Sequence, residues 1–160
     1  MLLRRASALA VIAATAALPI PLTSSGVLPI GSITVTGASL VDPGLIATAS
    51  GIVAGENLLA ARLRRGERAV AALPMIATAR IRAGVPNNIA INVVERSLLL
   101  RWKLRGVTYL VDGGGEIVAT ADSPTFAPSA ASAIAQLPLI SDDRNDVLFE
   151  VGDALPETLF

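Results

Sequence analysis

The polar and apolar positions alternate with period two from residue 33. Ile33 and Val35 fall on one face and Thr34 and Thr36 on the other, the signature of a half-buried strand, and Gly37 ends it. Val41-Asp42-Pro43 then reads as a helix start. Asp42 is placed to cap the orphan amides, Pro43 suits the first helical position, and Val41 can staple onto Ile46. Gly51 closes that helix. A second helix is expected to begin near Asn57, with Leu59, Leu63, Val70 and Leu73 along one stripe and Gly66 at the remaining stripe position. Its other face carries Arg62, Arg64, Arg65, Glu67 and Arg68, and Pro74 stops it. Period two returns at Ala77, Ala79 and Ile81, which alternate with Thr78, Arg80 and Arg82. After the turn-forming Val85-Pro86-Asn87-Asn88, the residues Ile89, Ile91 and Val93 alternate with Ala90, Asn92 and Val94.

Residues 32–96 therefore predict β-α-α-β-β: a three-stranded sheet with one apolar face and two helices to cover it, an α+β module near the lower size limit for independent folding. Its expected core is Leu59, Leu63, Val70, Ile81, Ile89 and Ile91. Beyond Arg96 the alternation resumes, with Leu98, Leu100, Trp102 and Leu104 on one face. Val107 to Asp112, the Gly113-Gly114-Gly115 turn and Glu116 to Thr120 form a second hairpin, so a mainly β region docks closely behind the first. Residues 121–135 read as loop or weak helix, 137–140 as a short strand, and 141–160 as an acidic tail.

Ahead of the module the pattern vanishes. Arg4 and Arg5 are followed by a stretch without charge from Ala6 to Val41. Residues 6–27 are long enough for a transmembrane helix, with residues 1–5 retained in the cytoplasm and the rest sent outside. A cleavable signal peptide competes with this, because the stretch is alanine-rich and contains Ala14-Thr15-Ala16. The apolar fraction of 52% and the mean hydropathy of +0.62 agree with membrane contact of either kind.

Charge sums to zero but is unevenly spread: up to Arg105 there are 12 basic and 4 acidic residues, and from Gly106 onward 1 basic and 9 acidic. Arginines on outward faces, with only 3% aromatic residues, read as solvated positions that attract anionic lipid headgroups rather than nucleic acid. The chain has neither cysteine nor histidine, which removes disulfides, thiol nucleophiles, Ser-His and Cys-His pairs and nearly every transition-metal site. Asp112 and Glu116 flank three glycines, but no Lys-Ser/Thr follows for phosphate binding, so the stretch is a turn. Gly51 to Gly55 holds no dinucleotide fingerprint. Asp142, Asp143 and Asp146 lack the calcium-loop pattern, and Ser97, Ser123 and Ser141 have only Lys103 as a conceivable base. We therefore expect no enzyme, no catalytic, cofactor or metal site, and no small-molecule substrate; what such a chain has to offer is an exposed sheet edge for a partner strand.

Several stretches, in this order, resemble one family. Ile33-x-Val35-x-Gly37-Ala38, Val41-Asp42, Gly51, Gly55-x-Asn57-Leu58-Leu59, Leu73-Pro74, Pro86-Asn87 and Val94-Glu95-Arg96 resemble the POTRA domain of the FtsQ/DivIB cell division proteins. Trp102, Tyr109-Leu110-Val111-Asp112, Gly115-Glu116-Ile117 and Leu137-Pro138-Leu139-Ile140 resemble the opening of the β domain that follows it. The resemblance implies a POTRA domain at 28–96 and a partial β domain at 97–160, in a chain that stops within that domain. It also implies a single-pass inner (plasma) membrane protein of the septum, a non-catalytic divisome scaffold with partners of the FtsB and FtsL type. The FtsB contact would lie in the β domain, and recruitment in the POTRA. The alternative is a secreted or periplasmic POTRA-type binding or export module with a cleaved leader.

Overall fold

The structure, a computed structural model, describes residues 28–143 and 149–155. The segments assigned above to the cytoplasmic N-terminus and the transmembrane helix, residues 1–27, lie outside these, as does Asp146. Among the described residues no helix is long and apolar enough to cross a membrane.

Strand β1 (Ser32–Thr36) is followed by helix α1 (Pro43–Ala49), helix α2 (Leu63–Ala71), and strands β2 (Ile76–Gly84) and β3 (Asn88–Glu95). The sheet order is β1-β3-β2, with β3 central, parallel to β1 and antiparallel to β2. That parallel pairing is what the two intervening helices make possible, because parallel neighbours need a crossover. Helix α1 starts as its sequence predicts: the Asp42 carboxylate accepts from the amides of Gly44 and Leu45 at 2.7 and 3.1 Å, with Pro43 at the first position. It ends at Gly51, whose φ of +65° is open to glycine and strained for other residues. The Ser50 hydroxyl donates to the Ala47 carbonyl at 2.6 Å and accepts from the Ile52 amide at 3.2 Å, relaying a bond that the helix end would otherwise lack.

The second helix begins later than its apolar spacing suggests. Residues 57–61 form a single turn in which the Asn57 carbonyl accepts from the amides of Ala60 and Ala61, and Leu59 is 60% exposed instead of entering the core. The reason is tertiary: residues 55–58 are claimed by residues 28–30. The Ile30 amide donates to the Glu56 carbonyl at 2.8 Å, and the Leu58 amide to the Leu28 carbonyl at 2.9 Å. Ile30, which lies ahead of the alternating pattern and outside the expected core, is consequently buried. Leu63 is half-buried against the core, and Val70, Ile81, Ile89 and Ile91 lie within it as expected. The alternation in β2 also slips. A register shift between Ile76 and Thr78 turns Ile76 inward and leaves Ala77 exposed. Ile46, Ile89 and Ile91 are fully buried and dominate the layer between helices and sheet, at about 1.5–3 kcal/mol each.

The second sheet comprises β4 (Leu98–Leu104), β5 (Val107–Asp112), β6 (Ile117–Thr120) and β7 (Leu139–Asp142), in the order β6-β5-β4-β7. Helix α3 (Ala130–Gln136) supplies the crossover that lets β7 run parallel to β4, so part of the stretch read as loop or weak helix is helix. Both faces of this sheet are covered. Leu110, Val118 and Ala119, with Ala130 and Ile134 of α3, join the same core cluster as the first module. Leu100, Trp102, Val111 and Ile117 pack instead with Leu155 and Phe149. Part of the acidic tail is thus core: the rings of Trp102 and Phe149 lie 5.1 Å apart, and the Tyr109 hydroxyl donates to the Phe149 carbonyl.

Candidate interaction edges and the joint behind them

Two adjacent residues at the end of β3 tie the molecule together. Glu95 turns toward the loop between β1 and α1. There its carboxylate accepts from the Ser39 hydroxyl at 2.7 Å and from the amides of Ser39, Leu40 and Val41 at 3.1, 3.0 and 2.8 Å. Burial pushes the Glu95 carboxyl up, but the Val41 amide, the Ser39 hydroxyl and the amides of Leu40 and Ser39 outweigh it and hold it below the ordinary carboxylate range. The loop so held pairs with the second region: the Asp42 amide donates to the Thr125 carbonyl at 2.9 Å, the Ala127 amide to the Leu40 carbonyl at 2.7 Å, and Val41 bridges Phe126.

Arg96 turns the other way. Its Nη1 donates to Asp112 at 2.8 Å and to Glu116 at 2.7 Å, across the base of the β5–β6 hairpin. Asp112 spends its other oxygen on the amides of Gly114 and Glu116, at 2.8 and 3.0 Å. Burial raises its pKa, yet the Arg96 hydrogen bond, those two amides and the Arg96 charge win, and it lies below the ordinary range. The hydrogen bond to Asp112 raises Arg96 against its own burial, with Glu116 adding to the effect. Asp112 and Glu116 therefore meet in space, as a turn locked by an arginine.

The other candidate residues stay ordinary. Lys103 and Ser141 are opposed in the β4–β7 register, but both side chains are exposed and no hydrogen bond joins them. The Ser123 hydroxyl is engaged with that of Thr125 at 2.8 Å. Asp142, placed by the sequence in the acidic tail, closes β7, and among the described residues no group of three or more acidic side chains is arranged to hold a metal ion.

The sheet edges differ sharply from one another. The outer side of the β6 hairpin is covered by residues 152–155: the Ile117 amide donates to the Asp153 carbonyl at 2.9 Å, the Gly152 amide to the Ile117 carbonyl and the Leu155 amide to the Gly115 carbonyl, both at 2.8 Å. On β2, the Glu67 carboxylate reaches across from α2 to accept from the Ile81 amide at 2.9 Å. On β7, no described residue pairs with the outer side, and Leu139 and Ile140 are 50% and 48% exposed. The sequence pattern predicts an exposed edge but reveals neither Glu67 as the residue that caps β2 nor Glu95 and Arg96 as the residues that tie the two sheets together. Val94-Glu95-Arg96 stood out only as part of a resemblance.

A β-α-α-β-β module with a parallel β1–β3 pair, joined to a second sheet, defines a POTRA-bearing protein. Residues 28–96 match the family described as POTRA domain, FtsQ-type. Over 98 residues the chain is 28% identical to the cell division protein FtsQ of Corynebacterium glutamicum, a stretch that covers 61% of this chain and 44% of that protein. Residues 28–96 are thus an FtsQ-type POTRA domain, and the chain is similar to the FtsQ cell division proteins. The aligned stretch thus spans less than half the length of that relative.

Proposed function

We propose that this protein is a non-catalytic scaffold of the bacterial division apparatus, anchored in the inner membrane by residues 6–27, with residues 28–96 as its POTRA domain and residues 97–160 forming β-domain structure. Its task is to recruit and bind division proteins of the FtsB and FtsL type at the septum. The observation that carries the reading is the contrast among edges: β7 presents an outer side that no described residue pairs with and two exposed apolar residues, while the β6 side is covered. Such an edge gives affinity through backbone bonds and specificity through alternate side chains. The FtsQ-type POTRA match and the similarity to a cell division protein FtsQ support the same role.

A fluorescent fusion tests the role: a band at midcell is expected, and a uniform envelope signal overturns it. The anchor is tested separately by the mass of the mature protein, which should retain Arg4 and Arg5. A new N-terminus between Ala17 and Ser25 would establish cleavage instead.

A further inference from the structure

Four large apolar side chains gather at one end of the first sheet. β1 begins at Ser32 opposite Asn88, and Gly84 pairs with that same residue, so the start of β1 and the turn between β2 and β3 share an end. The Gly31 amide donates to the Asn87 carbonyl at 2.7 Å, and the Gly55 amide to the Ile30 carbonyl at 2.8 Å, which brings the loop after α1 to the same place. Leu28, Val53, Leu59 and Val85 lie here and are all exposed, Val85 at 97%. On residues 28–96 the remaining exposed large apolar residue is Val94, toward the far end of β3. Scattered apolar residues on a surface are ordinary, whereas four gathered at one end mark a contact. Basic residues accompany them. Arg62, Arg64 and Arg65 at the start of α2 and Arg82 beside the turn are exposed and in no ion pair among the described residues. Glu56 is the only acidic residue among 28–31, 53–66 and 82–88.

We propose that this end of the module docks on the outer leaflet of the membrane, its apolar side chains entering the headgroup layer and its arginines binding anionic headgroups. The inference rests on the anchor proposed above, and the length of chain selects the occupant. A span of about 20 residues that begins at Ala6 ends near Ser25, and the three steps from there to Leu28 reach about 10 Å. The headgroup layer is itself about 5–8 Å deep, so Leu28 lies at its surface or within it. Residues 28–31 are bonded to both neighbouring loops, which carries Val53, Leu59 and Val85 to the membrane with them. The charges agree, because arginines beside apolar side chains suit an interface with anionic lipid, where each group meets its preferred surroundings. A second copy of this end is a poorer occupant, since it would face these arginines with the same arginines. Docking of this kind also sets the direction of the module. β3 runs away from the turn, so Glu95 and Arg96 stand about 20–25 Å farther from the lipid than Asn88.

The test uses the 160-residue chain in nanodiscs of phosphatidylcholine with and without phosphatidylglycerol. The chain has no cysteine, so one introduced residue carries the only spin label. Val85→Cys places it at the proposed contact, and Ala77→Cys places it on the exposed opposite end of β2, about 25 Å away. Collision with a water-soluble nickel chelate reads exposure to water, and collision with oxygen reads depth in lipid. In discs containing phosphatidylglycerol the label at 85 should be several-fold less accessible to the chelate, and more accessible to oxygen, than the label at 77. Adding Val53→Ser and Leu59→Ser to Val85→Cys should restore much of the chelate access, and so should adding Arg62→Ser, Arg64→Ser and Arg65→Ser. These side chains are exposed, so each variant should keep the melting temperature of its parent. Equal access at 85 and 77 in a chain that co-elutes with the discs overturns the docking and leaves the anchor standing, whereas a chain that elutes free of them overturns the anchor and the docking together. Shielding at 85 that no apolar or arginine replacement relieves would overturn the proposal. Shielding that grows with the number of chains per disc would assign this end to a second copy and overturn it as well. Localisation at midcell enters none of these outcomes.

Discussion

At the scale of single residues, side chains that accept from several backbone amides outrank those that merely carry charge. Glu95 satisfies three consecutive amides of the loop after β1. Replacing it by Ala strands these donors in a part-buried loop, and should cost roughly 2–3 kcal/mol. The pH dependence follows from the direction of its shift. A carboxylate held below its ordinary range contributes stability that is complete above that range and is lost as pH falls through the lowered value. The gap in melting temperature between wild type and Glu95→Gln should therefore be widest near neutral pH and close in acid; a gap independent of pH would show that the charge is not what binds the loop. Gly66 makes the opposite kind of case. Helix propensity favours Gly→Ala by about 1 kcal/mol. Here, however, a Cβ would lie 2.9 Å from the Ser50 carbonyl oxygen and 3.0 Å from Ile81 Cδ1. The end of α1 must move, so Gly66→Ala should lower the melting temperature, and a rise would mean that the helices separate at little cost.

At the scale of elements, period and punctuation in the sequence carried a good deal. The strands around Ile33, Ile81 and Ile91, the start of α1 at Asp42 and the Asp112 turn all form where local signals put them. What was not legible depends on chain segments far away in sequence. Asn57 does not start the second helix because residues 28–30 hold its neighbours, and Ala77 faces out because a bulge, which alternation alone does not announce, shifts β2. The bonds of Glu95 reach residues 54 to 56 positions away, so only its motif was visible and not its task. The central strand gives the sharpest check on the first module. Ile91 is fully buried on β3, opposite Val35 on one side and Ile81 on the other. Ile91→Asp puts a carboxylate there with no partner, at a cost of several kcal/mol against a total stability of about 5–15. Loss of the cooperative melt is expected in this variant, and melting at the wild-type temperature would contradict the packing.

At the scale of the whole molecule, the two sheets are not independent bodies on a linker. Their core is continuous, with Val41 and Ile46 from the first module in the same cluster as Leu110, Val118 and Ile134 from the second. Glu95 and Arg96 face in opposite directions from one short joint, so the loop that pairs with residues 125–127 and the hairpin locked by Asp112 are both positioned from the end of β3. The outer edge of β7, which no described residue pairs with, has a fixed direction only if the sheet bearing it is held relative to the first module, and this joint supplies that orientation. The thermodynamic consequence is coupling. Residues 28–96 alone would lose the Asp42–Thr125 and Leu40–Ala127 backbone bonds as well as the cover over Val41. Each backbone bond contributes on the order of 1 kcal/mol net, and for a module of this size 1 kcal/mol moves the melting temperature by about 4–8 °C. The 28–96 fragment should therefore melt roughly 10 °C below the intact chain, while the intact chain melts in a single transition followed equally by far-ultraviolet circular dichroism and by Trp102 fluorescence. Two transitions, with Trp102 reporting one and the bulk secondary structure the other, would show that the second sheet rides loosely on the first, and that the joint does not fix the direction of the β7 edge.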